Sequence, residues 1–414
     1  MGATLATVDA LLKEVYEDGP REQINQDVIA LRRVERSSEG VSNEVGGRWV
    51  TFPVHTKRNN GVGARRELEA LPSAGQQGHA AARVPLKYQY GALQLTGQTM
   101  KLADSNFQAF ASVLDNEVSG ISKDLAKNLN FQIYGDGSGR RALASAASGP
   151  AATFTTLNTQ YLNVGYAYDL IDGTTIANAN PTVKAGGTGL ILASKTATVA
   201  TFLASGGGAA SITVAIGDIV VVAGSVNREW TGLGKMVAAT GAYQNIDPAN
   251  EPVWAATVNA NAGTNRALTE ALMIQTVDAV RQNGASASLG LYNLGTRRSY
   301  FNLLQSLRQF VNTKEFPGGF SGLAFTTDQG DIPMVVDVDA TPNGIYFLDE
   351  SELKLYRESD WGYMDMDGSR WSRVVSVGGV AGNYDAYGAT LYQYSELGTH
   401  RRNAHARLAD ITES

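Results

Sequence analysis

Cysteine is absent from all 414 residues, which excludes disulfide frameworks and thiolate metal sites alike. Histidine is scarce: His55, His79, His400 and His405 are the whole set, and none shows metal-ligand spacing. The last two stand five apart and would diverge on a helix. Charge is also thin, at 18% of residues, against roughly 25% in an average soluble domain. The net formal charge of −6 argues against a dedicated nucleic-acid binder, whose surface would be strongly basic. No apolar run is long enough to span a bilayer, and residues 1–17 mix acids into short apolar clusters, unlike a signal peptide. The expectation is a soluble, cytoplasmic product with no membrane partner. What the chain has in quantity is glycine, 45 residues, which suits a β-rich fold or a subunit largely covered by neighbours. The chain is too long for one compact core, so two or three domains are expected.

The run from Gly46 to Gly139 is the most distinctive stretch. Before it, Leu11, Leu12, Val15 and Tyr16 fall at helical spacing, Gly19-Pro20 interrupts, and Ile24, Val28 and Leu31 resume the period. From Gly47 the pattern becomes that of strands. Trp49, Val50, Phe52 and Val54 form a first strand with Pro53 inside it, the mark of an edge, because proline cannot donate to a ladder. A return strand is expected over residues 83–97, where Val84, Leu86, Tyr88 and Tyr90 alternate and Leu93 and Leu95 resume one position out of phase. A bulge near Gly91-Ala92 would restore the register. The tip between the strands holds Lys57, Arg58, Arg65 and Arg66 among glycines, followed by Glu67 and Glu69. A basic cluster of this kind is either a solvated loop or a contact surface. Connections this long are uncommon inside compact domains, so the six charged residues are the expected contact with a neighbour. A ribbon so far from a core is expected to find no cover within its own subunit.

A long helix follows. Phe107, Phe110, Leu114, Val118, Ile121, Leu125 and Leu129 step by three or four, Ser105 and Gln108 make a capping box, and Gly135 closes the C-terminus. A helix over about 106–134 is roughly 40 Å long. Its opposite face carries Asn116, Ser119 and Asn130, which favours a helix laid across a sheet over a coiled coil. Residues 152–233 then read as short strands at 153–161, 189–193, 196–203, 211–214 and 218–222. They have the spacing of a small antiparallel barrel or sandwich, with Ser205 to Gly208 as a hairpin tip. Helix and strand alternate afterwards. Leu268, Leu272, Val277 and Val280 mark one helix, and residues 297–310 a second. Strands are expected at 287–292, 332–338, 344–348 and 353–356, giving an α/β unit. The tail at 374–397 reads as a strand pair that rejoins the sheet under the long helix.

Motifs for chemistry are weak. Gly135-x-Gly137-x-Gly139 follows a helix instead of opening one and lacks the Gly-Lys-Ser/Thr of a phosphate loop, so a helix end and turn is expected. Asp365-Met366-Asp367-Gly368 begins like a calcium loop without its later ligands. Acid pairs such as Asp337 with Asp339, and Asp349 with Glu350, are read as surface or strand-end residues. No nucleophile has a base and an orienting partner. No catalytic, cofactor or metal residue is therefore assigned, and the chain is not expected to be an enzyme.

Several strings, taken in order, resemble the major capsid proteins of tailed bacteriophages, the family with the HK97-type fold. They are the ribbon feeding the long helix and the helix end Asn130-Phe131-Gln132-Ile133-Tyr134-Gly135-Asp136-Gly137. Downstream come the block Gly330-Asp331-Ile332-Pro333-Met334-Val335-Val336-Asp337 and the block Pro342-Asn343-Gly344-Ile345-Tyr346-Phe347-Leu348-Asp349. The segment Ile216-Gly217-Asp218-Ile219-Val220-Val221-Val222-Ala223-Gly224 is similar to the inserted β domain of some members.

The resemblance implies an α+β fold with an N-terminal arm at 1–40 and an extended β-hairpin loop at 41–100. The long spine helix of a peripheral domain would occupy 101–150, an inserted small β-barrel domain 151–255, and an axial α/β domain 256–360. Residues 361–414 would supply the return strands of the peripheral domain and the C-terminus. It implies a shell subunit forming hexamers and pentamers of an icosahedral head, located in the virion after assembly in the host cytoplasm, with packaged double-stranded DNA contacted weakly. A portal and, in some members, a decoration protein would be further partners. The helical pattern begins close to Met1, which leads to the expectation of a separate scaffolding protein. Some members link this loop to a neighbour through a Lys-to-Asn isopeptide bond. Lys57 and Lys87 are the ribbon's lysines and neither sits in a crosslinking motif, so no covalent link is expected. The alternative within the fold is an encapsulin-like compartment; outside it, a β-rich adhesin or carbohydrate-active protein.

Overall fold

A computed structural model of the chain describes residues 27–36, 39–40, 49–98, 107–178, 180–306, 314–316, 320–327, 330–358, 360–365, 369–374, 376–377 and 380–414. The helical spacing of Leu11, Leu12, Val15, Tyr16 and Ile24, the cap at Ser105, the side chains of Phe107, Phe110 and Leu114, and Met366, Asp367 and Gly368 lie outside the described residues.

The 28-residue helix Phe107–Tyr134 lies across a six-stranded sheet. That sheet is organised by the 14-residue strand Ala386–Thr399. Along one side it pairs antiparallel with Lys87–Thr96, from Ala386 opposite Thr96 to Ser395 opposite Lys87. Along the other side it holds Leu353–Arg357, Gly362–Tyr363 and Ser372–Arg373. Val118, Ile121 and Leu125 of the helix cover Leu93, Ala389 and Leu391. Gly91 makes the close approach possible, since a Cβ there would meet Leu125 Cδ1 at 2.7 Å. The last turns reach the main core, where Leu129 and Ile133 join Leu31, Trp230, Leu291, Leu355 and Leu397. The helix stops at Gly135, whose N–H bonds Gln132 O at 3.0 Å, and the chain turns through Gly137 and Gly139 at φ +88° and +81°.

Two strand expectations need correction. The return strand is two strands: Gly78–Pro85 pairs with Trp49–Lys57, and Lys87–Thr96 joins the sheet under the helix. The phase change therefore falls at Leu86, between them, and no bulge interrupts the register at Gly91 or Ala92. Gln89, Gly91, Leu93 and Leu95 face inward, while Tyr88 and Tyr90 stand on the opposite, exposed face against Tyr394. Second, Leu353–Arg357 belongs to this sheet and not to the α/β unit.

Residues 140–222 form an antiparallel sheet in the order Arg140–Leu143, Ile219–Val222, Ala167–Ile171, Leu190–Lys195, Val199–Leu203, Thr153–Thr155. A bridge between Ala144 and Thr156 ties its two ends together, so the sheet closes around Phe154, Leu162, Tyr168, Leu192 and Phe202. The third sheet has seven strands, ordered Thr257–Asn259, Ala406–Ala409, Gly344–Leu348, Leu289–Tyr292, Gly330–Val336, Phe320–Thr327, Lys314–Phe316. The helices Glu270–Gln282 and Leu294–Ser306 accompany it, the first capped by Thr269, whose Oγ1 accepts from Leu272 N–H. The strand Ala406–Ala409, which the sequence pattern did not reveal, threads between Thr257–Asn259 and Gly344–Leu348.

Candidate interaction surface

The ribbon is anchored at its base, which corrects the expectation that it finds no cover at home. Ala82 and Val84 are buried, Phe52 packs on Tyr356 and His400, and Arg83 N–H donates to Gln244 O at 2.8 Å. Lys57 turns back to Glu251 at 3.5 Å. Beyond it, residues 58–77 make a loop whose legs are pinned by Asn59, which donates to Gly75 O at 3.0 Å and accepts from Gly61 N–H at 2.7 Å. At the far end a closed turn gathers Arg65, Arg66 and Glu69. Arg65 Nε donates to Ala70 O at 2.9 Å, and Arg66 N–H donates to Glu69 Oε2 at 2.9 Å. Glu67 is exposed within that turn, which Glu69 N–H closes onto Arg66 O at 3.2 Å, and Arg58 is exposed apart from it.

Three residues of the loop escaped sequence reading. Val62, Leu68 and Leu71 are 87%, 102% and 84% exposed, and Leu68 is held at φ 64°. Covering each would recover about 1.5–3 kcal/mol of transfer free energy. The signal was there: apolar residues in a Gly-rich charged loop have no helical or strand period to explain them.

A second surprise lies beneath the helix. Asn130, expected on its polar face, is buried, as are Asp337 and Asp339, expected on a surface or at a strand end; Asp337 does follow the end of the strand Gly330–Val336. Asn130 Nδ2 donates to Asp339 Oδ2 at 2.6 Å and to Asp337, while its Oδ1 accepts from Leu31 N–H at 3.0 Å. Asp337 Oδ2 accepts from Ala30 N–H at 3.0 Å. Three elements distant in sequence thus share one polar node: the start of the helix Ile29–Arg36, the long helix, and the loop after Gly330–Val336. Burial raises the Asp337 pKa, against hydrogen bonds that lower it. Lys127 closes the node, bonding Asp339 Oδ2 at 2.7 Å and the carbonyl of Asp27 at 3.1 Å.

Beside this node a groove of about 1460 Å3 separates the long helix from the closed β sheet. Trp49, Tyr88, Phe131, Tyr161 and Tyr166 line it. In its floor Arg141 NH2 bonds Glu229 at 2.6 Å and Asn128 at 2.7 Å, and the guanidinium lies over Phe131. Its NH1 is buried with no partner.

The histidines do not converge. His55 Nε2 meets Gln77 Oε1 at 2.6 Å beside His79, His400 packs on Phe52, and His405 is buried against Thr399. Among the described residues no three His, Asp or Glu side chains are grouped as a metal site. Lys87 Nζ donates to Asn227 O at 2.9 Å.

Residues 212–365 match the family model described as SU10 major capsid protein. Among solved structures, the chain is similar to one in the cyanophage A-1(L) capsid asymmetric unit, at 15% identity and a TM-score of 0.62, covering 99% of this chain and 100% of that one. It is also similar to a chain from the capsid of an empty GTA particle, at 11% identity and a TM-score of 0.51, covering 99% of each. A chain of the native GTA particle gives 10% identity and a TM-score of 0.50, over 100% of this chain and 99% of that one. No curated protein matches the sequence. At these identities the property held in common is the architecture: in a match covering 99% of its length the chain has the mixed α+β fold of phage capsid structures, and its 212–365 stretch matches the family model of the SU10 major capsid protein.

Proposed function

We propose that the chain is the major capsid protein of a tailed phage, a structural subunit that assembles with its own copies into hexamers and pentamers of an icosahedral head around double-stranded DNA. The observation that carries this reading is the ribbon: a fixed base, and beyond it a loop that bonds within itself and holds Val62, Leu68 and Leu71 out in solvent. Such a loop is built to be covered by a second molecule. In this reading residues 1–40 are the arm and 41–100 the overlapping loop. Residues 101–150 and 361–414 make most of the peripheral domain, which also takes Leu353–Arg357; 151–255 make the inserted domain, joined by Arg140–Leu143; and 256–360 make the axial domain at the centre of each capsomer, whose sheet also takes Ala406–Ala409. Lys57, Arg58, Arg65, Arg66, Glu67 and Glu69 belong to the intersubunit contact, with Lys57 acting at the loop's root. A net charge of −6 suits a shell that confines DNA without the many phosphate contacts that tight binding requires. A scaffolding protein and a portal complete the assembly, with a decoration protein where the outer surface takes one. The named neighbours are phage and GTA capsids, which favours a phage head over an encapsulin-like compartment.

Electron microscopy of the purified protein, alone and with its scaffolding partner, tests the proposal. Closed shells of uniform diameter are expected. A protein that stays monomeric with its scaffold present, or that forms only open sheets, overturns it.

A further inference from the structure

Although the four histidines do not gather in one place, two of them face each other. His55 and His79 are directly opposed in the antiparallel ladder between Trp49–Lys57 and Gly78–Pro85. Both stand on the ribbon's exposed face, with ring centroids 5.2 Å apart and planes at 45°. That spacing is the one a shared ion would impose. A metal–nitrogen bond of about 2.0–2.1 Å places an imidazole centroid roughly 3.2 Å from the metal, and a tetrahedral angle then separates two such rings by roughly 5.2 Å. A third donor is in place, since Gln77 Oε1 stands 2.6 Å from His55 Nε2. In the free protein Nε2–H donates to that oxygen. With a metal bound, the ring proton moves to Nδ1 through solvent and both atoms turn lone pairs to the ion, opening to the roughly 3.3 Å between neighbouring tetrahedral ligands.

The surroundings suit a cation. The next rung on the same face is Pro53 with Ala81, uncharged and small, which leaves the pair open to water. Lys57 is turned to Glu251 Oε1 at 3.5 Å, and Arg83 lies two rungs away over the Trp49 ring at 5.9 Å. Neutral imidazole is a ligand for zinc, copper and nickel, and the chain has no cysteine thiolate to compete for them. We propose that His55, His79 and Gln77 form a site for a divalent late-transition-metal ion, with water at the fourth position. Its place in the ribbon gives it a task. Between His55 and Lys57 the register slips by one residue, so the pair occupies the last regular rung before the loop at 58–77. An ion held by both strands clamps the root of that loop. Together with the bond from Asn59 to Gly75 beyond it, the clamp fixes the direction in which Val62, Leu68 and Leu71 project. The site needs only a single folded subunit and stands or falls apart from the shell reading.

The full chain without a histidine tag, kept as a dilute monomer and stripped of metal with a chelator, is titrated with zinc chloride in a calorimeter. One zinc per chain is expected. His55→Ala and His79→Ala should each weaken binding at least tenfold, and Gln77→Ala at least twofold. All three side chains are exposed, so the variants should keep the fold, which circular dichroism checks. Combining the two histidine substitutions should cost little beyond either one, because a chelate is lost with its first ligand. Two independent surface sites would behave differently: each single variant would keep one zinc at the parent's affinity, and that result overturns the proposal. So does a parent that takes up no zinc, or uptake that every variant retains; an unchanged affinity in Gln77→Ala alone removes the third ligand. Hydrogen exchange reads the clamp. Zinc should slow the amides of 54–57 and 78–80 at least threefold in the parent and leave them unaltered in His79→Ala, whereas parent exchange that zinc does not change overturns the role at the loop's root.

Discussion

Glu396 sits wholly buried on the long central strand, its Oε1 accepting from Thr231 N–H at 2.7 Å and Leu397 N–H at 3.1 Å, while Oε2 has no partner. Burial pushes its pKa from 4.5 up to about 8, in spite of Lys87 and the two N–H donors. His405 is displaced in the other direction. Its Nδ1 accepts from Asp349 N–H at 3.3 Å, so the ring proton lies on Nε2, facing Thr399 Oγ1 at 2.9 Å. A second proton would confront a donor, and burial holds the pKa down to about 4 from 6.5. The linkage signs are opposite. Between pH 4 and 6.5 the unfolded histidine binds a proton that the folded one refuses, so stability rises with pH. Between pH 4.5 and 8 the folded glutamic acid keeps a proton that the unfolded one releases, so stability falls with pH. Where the windows overlap the two slopes cancel. Above pH 6.5 only the glutamate acts, and stability should drop by about 2 kcal/mol by pH 8. Glu396→Gln keeps the Oε1 acceptor and removes the titration. Urea midpoints measured across pH 4.5 to 8 should rise to pH 6.5 and then stay level for this variant, while the parent declines above pH 6.5; parallel curves would show that Glu396 is ionised in the fold.

At the scale of elements, the long helix and its sheet depend on one missing side chain. If Leu125 presses on Gly91 as the 2.7 Å approach requires, Gly91→Val should destabilise the protein by about 2 kcal/mol through overpacking. In a strand without a helix above it, the same change would stabilise, because valine favours strands and glycine weakens them. The sign of the effect is therefore the test. Leu125→Ala, which opens the space, should make the valine substitution nearly neutral in a double-mutant cycle of chemical denaturation midpoints. The same pair explains what could be read from sequence and what could not. The helix was legible because its apolar residues repeat every three or four positions, and the strands at 344–348 and 218–222 because they are short β-branched or aromatic runs between turns. Gly91 looked like a bulge because a glycine beside a phase change has two explanations, a kink or a close approach, and only the third dimension separates them. Asn130 looked like surface because periodicity sorts residues by polarity, and a buried amide satisfied by Asp337 and Asp339, more than two hundred residues away, has no local signature. Of the candidate surface, the charged residues at the tip were legible, whereas the turn that unites Arg65, Arg66 and Glu69 and the exposure of Leu68 depend on backbone geometry.

Across the whole molecule, buried polar links tie the elements together. Arg402, fully buried, gives its guanidinium to the carbonyls of Met236, Gly241 and Lys235. Gln132 of the long helix pairs with Gln89 and accepts from Trp230 N–H, and the Asn130 node adds the third connection. A body joined this way resists deformation, since breaking one buried partner leaves the other unsatisfied. Outside that network stands the loop at 58–77, which contributes nothing to the core and yet exposes Val62, Leu68 and Leu71. Stability and assembly should therefore separate at this loop. Leu68→Ser together with Leu71→Ser removes apolar groups that no part of the described subunit covers, so the unfolding midpoint of the monomer should stay within about 0.5 kcal/mol of the parent. If a neighbouring copy buries those two side chains, each contact of the shell loses a few kcal/mol, and the loss repeats at every subunit. The yield of closed particles by sedimentation should then fall at least tenfold. An unchanged yield would mean that the loop is solvated in the particle and that the subunits are held by other faces; a lowered midpoint in the monomer would mean that the loop packs on its own subunit after all.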